Sequence, residues 1–230
     1  MLLDVALATD GGGDAHADEG ECTDGDDAGS RALAHAALGG EHEVNEVFLD
    51  NVKVPVENRV YEENKGWTCA KFLLAHERVG IAGVASSKRG VERIRQIAST
   101  EMDGEKALLA NPFFRRKVAE LEMDLAALEF TELRTLSGMA AGHGPGPESS
   151  VLKIKGSEIQ QRLTELTLEM AGHYGAPYSR SFGEGDNQHA VGPEWANRAA
   201  PVYFNTRKTT IYGGSNEIQR NIIAKMVLGL

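Results

Sequence analysis

A mostly α fold, an antiparallel four-helix bundle preceded by a short β segment, is predicted by three features of this 230-residue chain. Three long stretches carry apolar residues at helical spacing. Breakers rich in Gly and Pro separate them, so the stripes bury most economically against one another. No strand–helix–strand alternation calls for a parallel sheet. A composition of 41% hydrophobic and 25% charged residues fits an ordinary globular protein.

The first forty residues stand apart from the rest. Nine acidic groups, Asp4 to Asp27, face one basic residue, Arg31, so most of the net charge of −10 resides there. The run GGGDAHADEGECTDGDDAG offers almost nothing to bury, and residues 1–40 are expected to be a disordered acidic segment. Asp24, Asp26 and Asp27 suggest a calcium loop, but position twelve from Asp24 is His35 rather than Glu. No metal site is expected. Cys22 and Cys69 give neither a disulfide framework nor a zinc site, which predicts a reducing, cytoplasmic setting. The opening MLLDVALATD lacks the basic start of a secretory leader, and no stretch has the length and apolarity of a membrane span. The acidic balance argues against a nucleic-acid partner.

Residues 41–64 are read as β structure. EVNEVFLDNVKVPVENRV is rich in Val and Phe, with Asp50-Asn51 as a turn between two short strands and Pro55 marking the second as an edge. Residues 65–230 make the helical domain. The first helix is expected over residues 66 to about 100 and the second from Pro112 to about 141, opened by Asn111-Pro112. The third runs from Pro147 to about 174, after the breaker GHGPG. A Gly-rich loop and a short helix over residues 193–200 follow. A last amphipathic helix from Ser215 carries Ile218, Ile222, Ile223 and Val227 at helical spacing.

The first helix holds the most telling side chain. Ala70, Leu73, Leu74, Ile81 and Val84 define its stripe, and Glu77 falls on that stripe. A carboxylate against packed helices loses solvation, so its pKa is expected to rise, which suits a general base near neutral pH. A pairing with Arg78 or another cation at the bundle edge is the plainer alternative. His76 points about 100° away and cannot serve Glu77 as a dyad partner. In YGGSNEIQR, residues 212–220, two glycines permit close approach of a ligand and Ser215 opens a helix whose free N–H groups attract anions. A plain glycine turn with a serine cap explains the same residues equally well.

Several motifs in order resemble the acyl-CoA dehydrogenases over residues 41–230. RKTTIYGGSNEIQRNIIAK is similar to their C-terminal signature, LLAHERVGIAGVA to the first helix of their C-terminal bundle, and NEVFLDNVKVPVENRV to the end of their middle β-domain. EENKGW and LKIKGSEIQQ resemble the pimeloyl-CoA dehydrogenase large-subunit branch. The resemblance implies FAD as cofactor and α,β-desaturation of an acyl-CoA, of dicarboxylic or bulky kind. It implies electron-transfer flavoprotein as acceptor and a homo- or hetero-oligomer with another acyl-CoA dehydrogenase subunit. Most members place the base just after the Tyr of the C-terminal motif, here Gly213, which has no carboxylate. A second branch places it on the first helix directly before an Arg, and Glu77-Arg78 matches that pattern.

The same resemblance assigns substrate contacts to Arg78, Gly213 and Gly214, the Gly213 N–H donating to the thioester carbonyl. It assigns cofactor contacts to Ser215, Asn216 and Glu217, and contacts to a neighbouring subunit's FAD to Glu169 and Gly172. The chain departs from the family pattern at Glu169, where Gln is usual, at His173, where Gly is usual, and at Ala75, where Asp is usual. IASTEMDGEKALL lacks the family's Arg-x-x-Phe. Family members carry a helical domain and a complete β-domain before this portion, so a truncated gene is expected, with a non-catalytic helical fragment as the alternative to an enzyme.

Overall fold

The structure, a computed structural model, describes residues 30–36, 42–144, 146–177 and 191–230, without the side chains of residues 30–36, 42–44 and 75–79. Strands β1 (Ser30–Ala36) and β2 (His42–Leu49) pair antiparallel, with Arg31 opposite Phe48 and His35 opposite Val44. Two expectations are corrected here. Residues 30–36, assigned to the disordered segment, form a strand, while the remainder of residues 1–40 lies outside the described residues. The pairing partner of β2 lies before it, not after Asp50-Asn51. Pro55, which has no N–H to give a ladder, instead leads into a short 3-10 turn at Val56–Asn58.

The helices follow as α1 (Gly66–Ile81), α2 (Val84–Thr100), α3 (Pro112–Ala140), α4 (Glu148–Ala171), α5 (Ala199–Thr206) and α6 (Asn216–Ile223). The single first helix expected over residues 66–100 is two. Gly83 adopts a left-handed φ of 60° and ends the hydrogen-bond ladder between α1 and α2. The cause is tertiary. A Cβ placed on Gly156 of α4 would lie 2.6 Å from the Ala82 carbonyl oxygen, so the joint sits directly on the α4 backbone. Between α2 and α3 a tight hairpin pairs β3 (Met102–Asp103) with β4 (Lys106–Ala107) around Gly104. Helix α3 opens as expected: Asn111 Oδ1 accepts from the Phe113 and Phe114 N–H groups, and Pro112 occupies the first turn.

The mostly helical bundle is the fold found. Its apolar interior lies between α2, α3 and α4, where Ile94, Leu121, Leu125, Leu152, Ile159 and Leu166 are buried together. Helix α4 is the central post, with α1, α5 and α6 packed against it as well. Helix α5 begins later and runs further than the residues 193–200 expected, after a 3-10 turn at Glu194–Ala196. No helix among the described residues is long and apolar enough to cross a membrane.

Candidate functional site

The glycine turn that opens α6 and the end of α1 meet on α4. Gly213 and Gly214 have φ of 65° and 80°, a backbone shape that side chains resist. A Cβ on Gly213 would lie 3.0 Å from Ile81 Cδ1, so only a glycine lets the turn close against α1 without displacing that side chain. Glu77 precedes Ile81 by four residues, roughly 6 Å of helix rise. Its backbone is in α1, as is that of Arg78, but both side chains lie outside the described residues. Of the expected stripe, Val84 is buried and Ala70, Leu74 and Ile81 are half-buried. Leu73 is exposed, so the stripe is narrower than the spacing implies.

Polar groups, not apolar ones, fix this corner. The Lys153 side chain is completely buried, and its Nζ donates to Asn216 Oδ1 at 2.8 Å. Asn216 Nδ2 donates to Ser157 Oγ at 3.1 Å, and Ser157 in turn donates to the Ile154 carbonyl at 2.8 Å. Gln219, also fully buried, donates from Nε2 to the Gly214 carbonyl, while Gln160 donates to the Ile81 carbonyl at 3.2 Å. The last helix is therefore corrected: it buries Asn216 and Gln219 and exposes Ile218 and Val227, and it passes into a π-helical turn at Ala224–Leu228. Burial holds the Lys153 ammonium below its ordinary pKa, with the Glu217 charge pulling the other way.

Three donors at the turn are unspent: the backbone N–H groups of Gly213, Gly214 and Ser215 make no hydrogen bond among the described residues. Ser215 Oγ accepts from the Ile218 N–H at 3.4 Å and caps α6. Glu217 bonds its own backbone N–H and the Ser215 hydroxyl, which holds its carboxyl below the usual carboxylate range. Free amides beside a capped helix start suit a carbonyl or phosphate oxygen, and in that respect this corner fits one edge of FAD and a thioester. The other predicted cofactor edge fits less well. Glu169 is tied through both oxygens to Lys117 Nζ at 2.7 Å, which presents an ion pair where the resemblance implies an amide. Gly172 ends α4 with φ of 52°.

Lys153, Gly156, Ser157 and Gln160 are the residues that sequence reasoning missed. They recur at intervals of three and four on α4, a polar and small-residue stripe on the same helix as the apolar one. That stripe is the signal. Cys69 is half-buried and unpaired.

Residues 64–228 match the family model described as acyl-CoA dehydrogenase, C-terminal domain. The chain therefore belongs to the acyl-CoA dehydrogenase family, whose members are FAD-dependent oxidoreductases acting on CH–CH groups. It is 33% identical over 192 residues to acyl-CoA dehydrogenase IpdE1 of Mycobacterium tuberculosis, covering 83% of this chain and 45% of that protein. It is 32% identical over 201 residues to acyl-CoA dehydrogenase FadE34 of the same organism, covering 83% of this chain and 23% of that protein. Among solved structures, the ChsE4-ChsE5 complex from M. tuberculosis superposes with a TM-score of 0.72 at 26% identity, over 88% of this chain and 50% of that one. Butyryl-CoA dehydrogenase from Megasphaera elsdenii shares the fold, with a TM-score of 0.69 at 21% identity. The chain spans about half the length, or less, of the curated relatives it matches.

Proposed function

We propose that this chain is the C-terminal helical portion of a flavin-dependent acyl-CoA dehydrogenase in which Glu77 is the general base. The observation that carries the reading is the 3.0 Å approach between the Gly213 Cβ position and Ile81, which brings the glycine turn to the Glu77 end of α1. Gly213 carries no carboxylate and the Glu217 carboxyl is engaged by its own N–H and the Ser215 hydroxyl, so α1 is the element we assign to supply the base. Bound FAD would supply a hydride acceptor for the β-hydrogen. Glu77 takes the α-proton of the thioester, and the Gly213 N–H donates to the carbonyl oxygen as negative charge grows there. Gly214 keeps the turn open, and Arg78 is assigned to the acyl-CoA on the family resemblance alone. Ser215, Asn216 and Glu217 hold the near edge of the cofactor, and Glu169 and Gly172 border that of a neighbouring subunit.

The substrate we propose is a bulky or dicarboxylic acyl-CoA of the pimeloyl kind. A hetero-oligomer with a second acyl-CoA dehydrogenase subunit is supported by the ChsE4-ChsE5 complex. Electron-transfer flavoprotein as acceptor is supported by a relative named caffeyl-CoA reductase-Etf complex subunit CarC, from Acetobacterium woodii, 26% identical over 190 residues. The setting we propose is cytoplasmic, on the ground that two cysteines make no disulfide framework. The test is anaerobic bleaching of the flavin by acyl-CoA in the chain co-produced with a companion subunit. Glu77→Gln should keep the yellow flavin and slow bleaching about a hundredfold or more. Bleaching at the original rate in that variant overturns the assignment of the base.

A further inference from the structure

A cavity of about 450 Å³ opens between α2, α4 and α5, and among the described residues it meets the Ile81–Gly213 corner at Gln160 alone, whose amide is bonded to the Ile81 carbonyl. Apolar side chains, among them Ile94, Leu163, Met170 and Val202, make most of its wall. Its size falls within the ~300–1,000 Å³ of small-molecule sites, and an apolar cavity of about 150 Å³ already holds benzene.

Two polar features distinguish it from a packing defect. Ser87 is 2% exposed, lines the cavity, and its Oγ has no hydrogen-bond partner. A helical serine ordinarily bonds back to the preceding turn, as the adjacent Ser86 does to the Gly83 carbonyl at 2.8 Å. A buried hydroxyl left unpaired costs about 1–3 kcal/mol, which a ligand oxygen would offset. The second feature is charge. In a chain of net charge −10 the lining contains Arg93 and Arg198 and, among the described residues, no carboxylate, and Arg93 is exposed with no ion pair among those residues. Ser87 and Arg93 are six residues apart on α2, roughly 9 Å of helix rise.

We propose that this cavity binds an apolar molecule of medium acyl-chain length, with an anionic group seated on Arg93 and a hydrogen-bonding oxygen meeting Ser87. The apolar body fills the space between Ile94, Leu163 and Val202. The inference is independent of the dehydrogenase chemistry, because it uses none of the residues assigned to that reaction.

Trp195 lies in the cavity wall and reports on it directly once Trp67→Phe leaves it as the sole tryptophan. The purified chain carrying that change is titrated with ω-hydroxydecanoate, decanoate and decanol while Trp195 fluorescence is followed. Saturable binding is expected, several-fold tighter for ω-hydroxydecanoate than for decanoate. Ser87→Ala should erase that preference while raising the melting temperature of the free chain, since it removes an unpaired buried hydroxyl. Arg93→Gln should weaken both acids about tenfold and leave decanol unchanged. Absence of a saturable change, or decanol binding as tightly as decanoate, overturns the proposal. So does a Trp195 signal that follows protein concentration alone, which assigns the cavity to contact with a second copy. Displacement of the acids by FAD assigns it to the cofactor and overturns it equally.

Discussion

Helix α4 shows two opposite ways of closing a protein interior. Toward α2 and α3 it presents Leu152, Ile159, Leu163 and Leu166, side chains that gain by leaving water and ask nothing of their neighbours' geometry. Toward α6 it presents Lys153 and Ser157, which gain only if Asn216 stands within about 3 Å of both. The first kind of interface tolerates small shifts; the second fixes register. A turn that must hold three unspent amides beside α1 is better secured by the second kind, because hydrogen bonds to Asn216 define where α6 begins.

Four substitutions break or sharpen this contrast. Asn216→Leu should have the largest effect, about 3–5 kcal/mol of stability in urea unfolding, because it leaves the Lys153 ammonium buried without its acceptor. Leu121→Ala, in the fully buried apolar interior, should cost about 2–4 kcal/mol by the same measurement and lower the melting temperature without altering the α6 turn. Lys153→Met should stay within about 1 kcal/mol of the parent, since Asn216 keeps its bond to Ser157. Its signature is in pH. The folded chain holds Lys153 below its ordinary 10.5, so in the window between that lowered value and 10.5 the unfolded chain binds more protons and stability rises with pH. Below the window both states are protonated and the slope vanishes. Lys153→Met should lack this alkaline rise, and a rise of equal size in the variant refutes it. Smallest of all, Lys88→Ala should change stability by less than about 1 kcal/mol, because its 2.8 Å pair with Glu129 is exposed.

The same contrast explains what could be read in advance. Apolar periodicity located α3 and α4 closely, and Asn111-Pro112 marked the start of α3 because the cap is local chemistry. The break at Gly83 was illegible, since residues 84–100 continue a good helical pattern and the interruption comes from Gly156, over seventy residues away. The β3–β4 hairpin did leave a local mark in Asp103-Gly104, a turn pair that the flanking residues Met102 and Lys106 gave no alternating pattern to support. For the site, the glycine turn and the Ser215 cap were legible as a local pattern. Lys153 was not, because a lysine reads as solvent-facing unless the small residues spaced around it are taken as the mark of a closely approaching neighbour.

The joint at Ala82–Gly83 also has a mechanical meaning. A continuous rod through residues 66–100 would make any tilt of its first half a lever acting on the apolar interior. As built, the joint rests on Gly156 and is tied by Gln160, so α4 acts as a fulcrum. A tilt of α1 would therefore pivot at Gly83 and not be carried into α2 and the apolar interior.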